Sequence, residues 1–473
     1  MNISTEPSIT QIPIGPNRPF NAPKGGVPPE VLAVTGARFS RSLQSFEDIL
    51  SPYADSLDTS EGINAATRSI FAHLDYGHNS IIDMVPITFE LRGITQFAAL
   101  MLWYVAPRAV GQESSTRYID FQNQPLRPIT AFDNTLDNSI WEDWASKQMQ
   151  FYLDASAYVF EEYANQLQAG NITPTGSICV HFSADAEGRF LPGMQRDERQ
   201  YPILPLWSVT LDYIDEQEPK KRTRLMRNAV FDHLRSLLPL TVTTNVYMQL
   251  PLREWLDVIA LFAASPCTEL QDIASRLRFG LEHGEQALND PSLLKYSTPH
   301  ADHEAWWYDF FNFIDYSDSV RIDVSGFNPR LITENTRRPK SRYSPAIRAM
   351  TRVNVTYFAN TDVGALRDMN RHRVGTRELQ IDLSQEASLP EHVADTLWGA
   401  KHKPLRLNYA TLGTPATWRH STNLAHVAYM VNLRTGPGSH FAYREVYKKL
   451  GKAVAEELPS ELRSLFLAHI NGH

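Results

Sequence analysis

The sequence predicts an α+β protein built from two diverged tandem copies of one unit. Its 473 residues exceed one ordinary domain, so two or more units are expected. Hydrophobic residues make up 42% and charged residues 21%, enough apolar material to bury a core in each unit. One order of elements, namely strand, helix, polar or cationic loop, helix, helix, runs through the first part and returns after residue 345. The repeat is one of order, since identity between the two runs is weak.

Residues 1–29 hold seven prolines and little periodicity, and read as an extended arm packed on the body or on a partner. The first copy is expected over 30–290. Residues 61–76 read as a helix that GHNS (77–80) ends. VPITFELRG (85–93) has strand character. Residues 94–106 read as a buried helix, because the apolar run FAALMLWYVA is shorter than the roughly 20 residues a bilayer needs. An insertion of about 119–226 interrupts this copy. Within it, 139–168 has amphipathic spacing, with Trp141, Trp144, Met149, Tyr152 and Tyr158 at apolar positions. DEQEPKKRTR (215–224) reads as a solvated helix start. RNAVFDHLRSLLPL (227–240) and REWLDVIALFAAS (253–265) read as further helices.

Residues 291–345, rich in Pro, Asp and aromatics, read as an irregular connector. The second copy is expected over 346–473. It opens with a strand, VNVTYFAN (353–360), and a helix from about 362 to 372. A polar loop follows, then helices near 419–433 and 440–456.

The net charge of −8 argues against a protein that coats nucleic acid, yet leaves room for one local basic pocket. Two cysteines, Cys179 and Cys267, make no disulfide framework and suit a reducing compartment. The N-terminus has no basic stretch followed by an apolar core, so no signal peptide is expected. The expectation is a cytoplasmic enzyme with no membrane partner. Cys267, in SPCTEL (265–270), reads as a small hydrophobe at a helix start. The His pairs in HADH (300–303) and RHSTNLAH (419–426) lack a third ligand, so no metal is expected. No G-x-G-x-x-G occurs, so nothing supports a Rossmann dinucleotide site.

Three stretches carry candidate chemistry. In QESSTRY (112–118), an extended backbone would point Glu113, Ser115 and Arg117 the same way. A hydroxyl and a guanidinium on one side suit a phosphate, and the carboxylate suits a sugar hydroxyl or a ring N–H. A polar surface loop is the other reading. In DMNRHRVGTRE (368–378), Arg371, His372 and Arg373 converge only where a helix end turns into a loop, and Gly375 permits a tight turn. Arg367 and Arg371 would share a helical face. A solvated cationic helix C-terminus has the same composition. In MVNLRTGPGSHFAYRE (430–445), Arg434 leaves an apolar helix at a Gly/Pro loop and His440 opens the next helix. That pattern suits a ligand contact or a simple turn.

Together these stretches resemble the flavin-dependent thymidylate synthases. Members carry a Gly-His pair before a strand with Thr-Phe, an Arg-His-Arg triplet, and a loop Glu-x-Ser-x-Arg-Tyr. Further on come an Arg ahead of Leu-Pro-Leu, an Asn near a helix start, and Leu-Arg followed by His. Here GHN (77–79) with TF (88–89), QESSTRY and RSLLPL (235–240) match in the first half, and ARFS (37–40) resembles the family's N-terminal Ala-Arg-x-Ser. The Arg-His-Arg is absent there, replaced by Val105, Ala106 and Pro107, and LFAASP (261–266) replaces Leu-Arg…His. Both missing pieces stand in the second half, as RHR (371–373) and LRTGPGSH (433–440), with Asn423 at the Asn position. That half in turn lacks the Gly-His, where RYSPAI (342–347) stands, and the Glu-x-Ser-x-Arg-Tyr loop. The losses are complementary.

The resemblance implies the family's α/β-type fold, with the two copies forming a pseudo-dimer and a homodimer of such chains forming a pseudo-tetramer. It implies one composite site and C5 methylation of a pyrimidine nucleotide, dUMP to dTMP in type. The implied cofactor is FAD, with NADPH and methylenetetrahydrofolate as co-substrates. Glu113, Ser115, Thr116 and Arg117 would line the substrate, with Ser115 and Arg117 on its phosphate. Arg434 would favour the ionised pyrimidine edge, so Arg434 and Ser115 are the candidate catalytic residues. Ser40, His78, Ser80, Glu113, Arg371, His372, Arg373, Asn423 and His440 would hold the flavin, and Arg371 would also touch the substrate. Arg235 is favoured by motif, and Arg406 by geometry, as a further phosphate contact. The family's Gln three positions before Arg-His-Arg is Asp368 here. A carboxylate repels phosphate but suits a ribose hydroxyl or a cytosine amino group. UMP, dCMP or a nucleoside are therefore alternative substrates. A non-catalytic nucleotide-binding or flavin-binding relative is the alternative outside enzymes.

Overall fold

The computed structural model describes residues 7–11, 28–56, 59, 61–63, 65–66, 79–132, 138–168, 179–180, 182–184, 190–192, 204–205, 219–284, 287–288, 291–312, 319–326, 345–383, 403–436 and 439–470. Two antiparallel four-stranded sheets organise the chain, flanked by helices. The first holds β1 (Ser8–Gln11), β2 (Pro86–Thr95), β3 (Val110–Glu113) and β4 (Thr243–Pro251), in the order β1-β2-β4-β3. The second holds β5 (Ser319–Asp323), β6 (Asn354–Asp362), β7 (Thr376–Ile381) and β8 (Pro415–Asn423), in the order β5-β6-β8-β7. The two orders are the same, with each late strand inserted at the centre.

The helices follow matching routes. In the first half, α1 (Pro29–Phe39) lies between β1 and β2, and α2 (Gln96–Val105) links β2 to β3. The long α3 (Asn138–Gln168) and α4 (Pro219–Leu234) come before β4, then α5 (Leu252–Ala263) and α6 (Thr268–His283) follow it. A further helix, α7 (Ala301–Phe311), leads to β5. In the second half, α8 (Val363–Met369) links β6 to β7, and α9 (Leu424–Thr435), α10 (Phe441–Glu457) and α11 (Ser460–Ile470) follow β8. Each linking helix starts on a side-chain cap. Thr95 accepts from the Ala98 N–H and Asp362 from the Ala365 N–H.

The sequence reading is refined in three places. The edge strand β5 comes from the stretch expected to be an irregular connector, and pairs with Asn354–Phe358. Residues 419–423, expected to open a helix, close the strand β8 instead; it pairs on both sides, and Asn423 then caps α9. The helix expected over 227–240 stops at Leu234 and tightens to a 3-10 turn at Arg235–Leu237. Pro239 is the reason, since the residue before a proline is driven out of the helical region, and Leu238 has ψ 128°. Within the arm, Ser8–Gln11 lie on the edge of the first sheet against Phe89–Arg92.

The halves meet at a short backbone seam. Pro239 and Thr411 face each other across an isolated antiparallel bridge. On either side, Leu240 N–H donates to the Ala410 carbonyl and Leu412 N–H to the Leu238 carbonyl, both at 2.8 Å. Beside this seam the buried Asn408 side chain accepts from Ile129 N–H (2.7 Å) and Thr130 N–H (3.1 Å), and donates to the Thr130 carbonyl (2.8 Å). Trp141 donates to the Asn408 carbonyl at 2.9 Å. One apolar cluster runs through both sheets, with Phe89, Trp255, Tyr357 and Trp418 fully buried in it. No helix among the described residues is long and apolar enough to cross a membrane.

Asn408→Ala removes three hydrogen bonds and strands three buried backbone groups of the first half. It is expected to lower stability by about 3 kcal/mol or more, read as a fall in the urea midpoint. A midpoint equal to that of the wild type would show that the latch contributes nothing.

Candidate active site

The site is built where α8 and its following loop approach the end of β3. Gly375 takes a φ of 104°, and a Cβ there would lie 2.1 Å from the Ser421 carbonyl oxygen, so the turn after the Arg-His-Arg triplet requires glycine. Arg377 fixes the loop from below. Its Nη1 donates to the Asn370 carbonyl (2.9 Å) and side-chain oxygen (2.6 Å), and its Nη2 to the Tyr104 carbonyl of the first half (3.1 Å).

Further contacts at this place cross between the halves. Arg367 on α8 pairs with Glu113 at the end of β3. Arg235 Nη1 donates to Asp368 Oδ2 at 2.8 Å, with both side chains almost fully buried. His440 Nε2 donates to the Asp232 carbonyl at 2.7 Å. Arg373 donates to the Ala109 carbonyl, and its guanidinium lies 5.2 Å from the Trp103 ring centre. One chain therefore brings together QESSTRY and the Arg-His-Arg loop, which lie some 250 residues apart in sequence.

The remaining contacts fix individual groups. Arg117 grips Asp232 with two hydrogen bonds of 2.6 Å from Nε and Nη2, a bidentate pair. Ser115 Oγ accepts from the Arg117 N–H at 3.3 Å, and Thr116 is buried. Arg434 donates from Nε to His372 Nε2 (2.8 Å) and from Nη2 to the Asp368 carbonyl (3.2 Å), and lies over the Tyr443 ring. Arg371 and Arg367 do not share a face, because α8 ends at Met369. Arg367 turns inward, whereas Arg371 is 62% exposed and 3.6 Å from Asp368 Oδ1.

The electrostatics are unbalanced by design of position. Arg117, Arg235, Arg367, Arg371, Arg373 and Arg434 face Glu113, Asp232 and Asp368, six guanidiniums against three carboxylates. Burial pushes the Asp368 carboxyl up, but Arg235 and then Arg371 outweigh it and hold it well below the usual carboxylate range. Arg235 Nη2 and Arg367 Nε are buried with no hydrogen-bond partner among the described residues.

His372 is neutral. Burial, then the Arg434 charge, depress its pKa to about 2, so its Nε2 can accept from Arg434. His420 and His426 lie nearby, and burial lowers both to about 4. His420 Nε2 donates to the Val374 carbonyl at 2.8 Å and so supports the loop from beneath.

Several expected residues have other duties. Asn423 Oδ1 caps α9, a helix whose far end carries Arg434. Ser40 is exposed and its Oγ donates to the Ala37 carbonyl of its own helix. Ser80 is exposed in a 3-10 turn, Asn79–Met84. Arg406 is buried and donates to the Leu383 carbonyl, while Arg235 occupies the cluster. His78 lies outside the described residues. Asp232 was not expected here, and Arg367, expected to share a helical face with Arg371, pairs with Glu113 instead. Asp232 lies three residues before the Arg of RSLLPL, the one sequence signal that could have pointed to it.

Two surface cavities, of about 410 and 300 Å³, are lined by none of these residues. Among the described residues no three His, Cys, Asp or Glu converge as a metal site. Cys267 is buried, and burial pushes its thiol up to about 12.

A family described as thymidylate synthase complementing protein, Thy1, matches residues 28–281, more than half of the chain. The chain belongs to the flavin-dependent Thy1 family. The Thy1 match ends within α6, so the Arg-His-Arg loop and Arg434 lie beyond it. The chain is also 21% identical over 464 residues to the UPF0159 protein Ta1429 of Thermoplasma acidophilum, covering 83% of this chain and 86% of that one. That likeness spans both halves.

The histidines make a testable pH prediction for this Thy1 protein. A histidine with a depressed native pKa contributes stability that is complete above about 6.5 and lost as pH falls toward the native value. His372, His420 and His426 each act in this sense. Buried Glu269, raised to about 7, acts in the opposite sense, as do Asp257 and Asp362, whose carboxyls burial also raises. Urea midpoints are expected to fall steadily from pH 6.5 to pH 5, at roughly 1.4 kcal/mol per pH unit for each uncompensated ring. A flat profile would show that the rings titrate as in water.

Proposed function

We propose that the chain catalyses flavin-dependent transfer of a one-carbon unit to C5 of a pyrimidine nucleotide or nucleoside, the dUMP-to-dTMP type of reaction. The observation that carries this is the direct contact between Glu113 of QESSTRY and Arg367, beside Asp368 and the Arg-His-Arg loop. The two motif sets, each incomplete in its own half, meet in one place. The matching sheet orders and the Pro239–Thr411 seam support a fused pair of Thy1-like units whose second member begins before Ser319. Two such chains would form the pseudo-tetramer.

The residues fit FAD. Arg371 offers an exposed guanidinium, Arg373 lies over Trp103, and the positive excess suits a pyrophosphate. Bound FAD, reduced by NADPH, would supply the hydride, and methylenetetrahydrofolate the carbon. Arg371, His372 and Arg373 would hold the cofactor, with Ser40, His78 and Ser80 as further proposed contacts. Arg434 would sit at the pyrimidine edge and favour negative charge on N3 and O4, which makes C5 electron-rich. Neutral His372 holds Arg434 in that orientation without adding a competing charge. Cys267 supplies no nucleophile, since its thiol is buried and protonated. Glu113, Ser115, Thr116 and Arg117 would line the sugar side.

Purified protein is expected to be yellow or to take up added FAD, and Arg371→Ala to weaken that uptake by about tenfold or more. A colourless protein that binds no FAD would remove the proposal. Arg371→Ala and Ser115→Ala are each expected to abolish tritium release from 5-tritiated pyrimidines, and a mixture of the two variants to stay inactive. Recovered activity on mixing would place the site between chains.

A further inference from the structure

We infer that each chain holds one flavin, because the place that matches the proposed site with the two halves exchanged has lost its cations and lies under α7. The inference rests on the proposed flavin site and fixes the number of flavins.

Matching caps in the two halves locate that place. Thr95 and Asp362 cap the linking helices α2 and α8 in the same way. Beside them, Gln96 N–H donates to the Val242 carbonyl and Val363 N–H to the Thr414 carbonyl, both at 3.0 Å. β4 and β8 each end at the residue that caps the next helix, Pro251 for α5 and Asn423 for α9. Counting from the first pair of caps matches Arg371, His372 and Arg373 with Tyr104, Val105 and Ala106, one residue earlier than the motif comparison places them. Counting from the second pair matches Tyr429, Leu433 and Arg434 with Asp257, Leu261 and Phe262.

These counterparts come together in space. Val105, Asp257 and Leu261 all line the cavity of about 300 Å³. On the other side, Tyr429 lies beside His372, with ring centres 6.1 Å apart. The cavity thus stands where the counterpart of the Arg-His-Arg loop meets α5.

Its chemistry is reversed. Tyr104–Ala106 carries no cation, and fully buried Phe262 stands in place of Arg434. Asp257 and Asp302 both line the cavity, and His300 lies 3.5 Å from Asp302. The guanidiniums that act on Asp257 are Arg253 and Arg108. Both are held by Asp83, and Arg108 by Glu254 as well. Two guanidiniums face four carboxylates here, against six and three in the proposed site. A flavin pyrophosphate would meet like charge, which costs several kcal/mol at a desolvated contact.

The helix α7 lies across the same place. Its His303 and Trp306 line the cavity, and Trp307 Nε1 donates to the Leu261 carbonyl at 2.7 Å. The Trp306 ring is 5.9 Å from that of Tyr104. Tyr104 itself is engaged by the second half. Its hydroxyl accepts from the Leu379 N–H and its carbonyl from Arg377 Nη2, both at 3.1 Å. Arg377 holds Asn370, at the start of the Arg-His-Arg loop. The closed place therefore braces the working one.

The test counts flavins. Full-length protein is saturated with FAD and desalted, and the released flavin is measured against protein by amino-acid analysis. One flavin per chain is expected. Arg371→Ala, at an exposed position, should weaken the whole titration by about tenfold or more in a single phase. Asp257→Asn, in the closed place, should change neither the number of flavins nor their affinity. Two flavins per chain overturn the inference and leave the proposed function standing. So does an Arg371→Ala titration that keeps one phase of wild-type affinity, or loss of flavin in Asp257→Asn. Uptake of no FAD at all removes the proposed function itself.

Discussion

Pro239 and Thr411 face each other at the only place where the backbones of the two described sheet systems exchange a reciprocal pair of hydrogen bonds. The matching turns beside them, Val242 N–H to Pro239 and Thr414 N–H to Thr411, are both 3.1 Å long. The pairs Arg367–Glu113 and Arg235–Asp368 join the same two halves as this seam. Arg235 itself opens the 3-10 turn that leads into Pro239, so the seam and the site share a residue. Asn408 and Trp141 brace the same junction from the side of α3.

Buried ion pairs seldom stabilise a fold much, since desolvation offsets their attraction; removing one partner costs about 3–5 kcal/mol because a charge is stranded. Arg235–Asp368 is such a pair, with side chains only 4% and 5% exposed. Its value here is therefore geometric. It fixes a guanidinium against a carboxylate across the two halves, and leaves one N–H of Arg235 without a partner among the described residues. Arg117–Asp232 has the opposite character. Its side chains are 18% and 22% exposed, so it is less deeply buried than Arg235–Asp368.

The elements that were legible in the sequence are those with local signals. The strand at 85–93, the buried helix that follows it and the amphipathic helix at 139–168 show in spacing alone, whereas the complementary loss of motifs between the halves shows only against the family resemblance. The strand β8 was misread because RHSTNLAH joins its end to the start of α9, and only pairing on both sides shows where one stops. The edge strand β5 was hidden in a polar stretch, being a five-residue strand with alternate exposure. In the site, the arginines were legible by motif. Their carboxylate partners were not, since Asp232 and Asp368 lie 115 and 133 residues from the arginines they hold. Asp368 was noticed as a departure from the family pattern, but its counter-ion is a fact of folding.

The buried rings beneath the Arg-His-Arg loop explain how so cationic a segment keeps its shape. A charged His372 would repel Arg434, Arg371 and Arg373 together and could not accept from Arg434 Nε. Burial among His426, Tyr429 and Tyr447 keeps it neutral, and the acceptor nitrogen is then available. His420 does the complementary task, donating to the Val374 carbonyl one residue before Gly375, while its other nitrogen meets the Tyr357 hydroxyl at 3.3 Å. The same residue type thus acts as acceptor above and donor below. The acceptor role requires an uncharged ring, and each role is set by one defined partner. The triplet that looked from its composition like a solvated charge cluster is one buried ring between two arginines. The histidine orients Arg434, and the flanking Arg371 and Arg373 carry the charge.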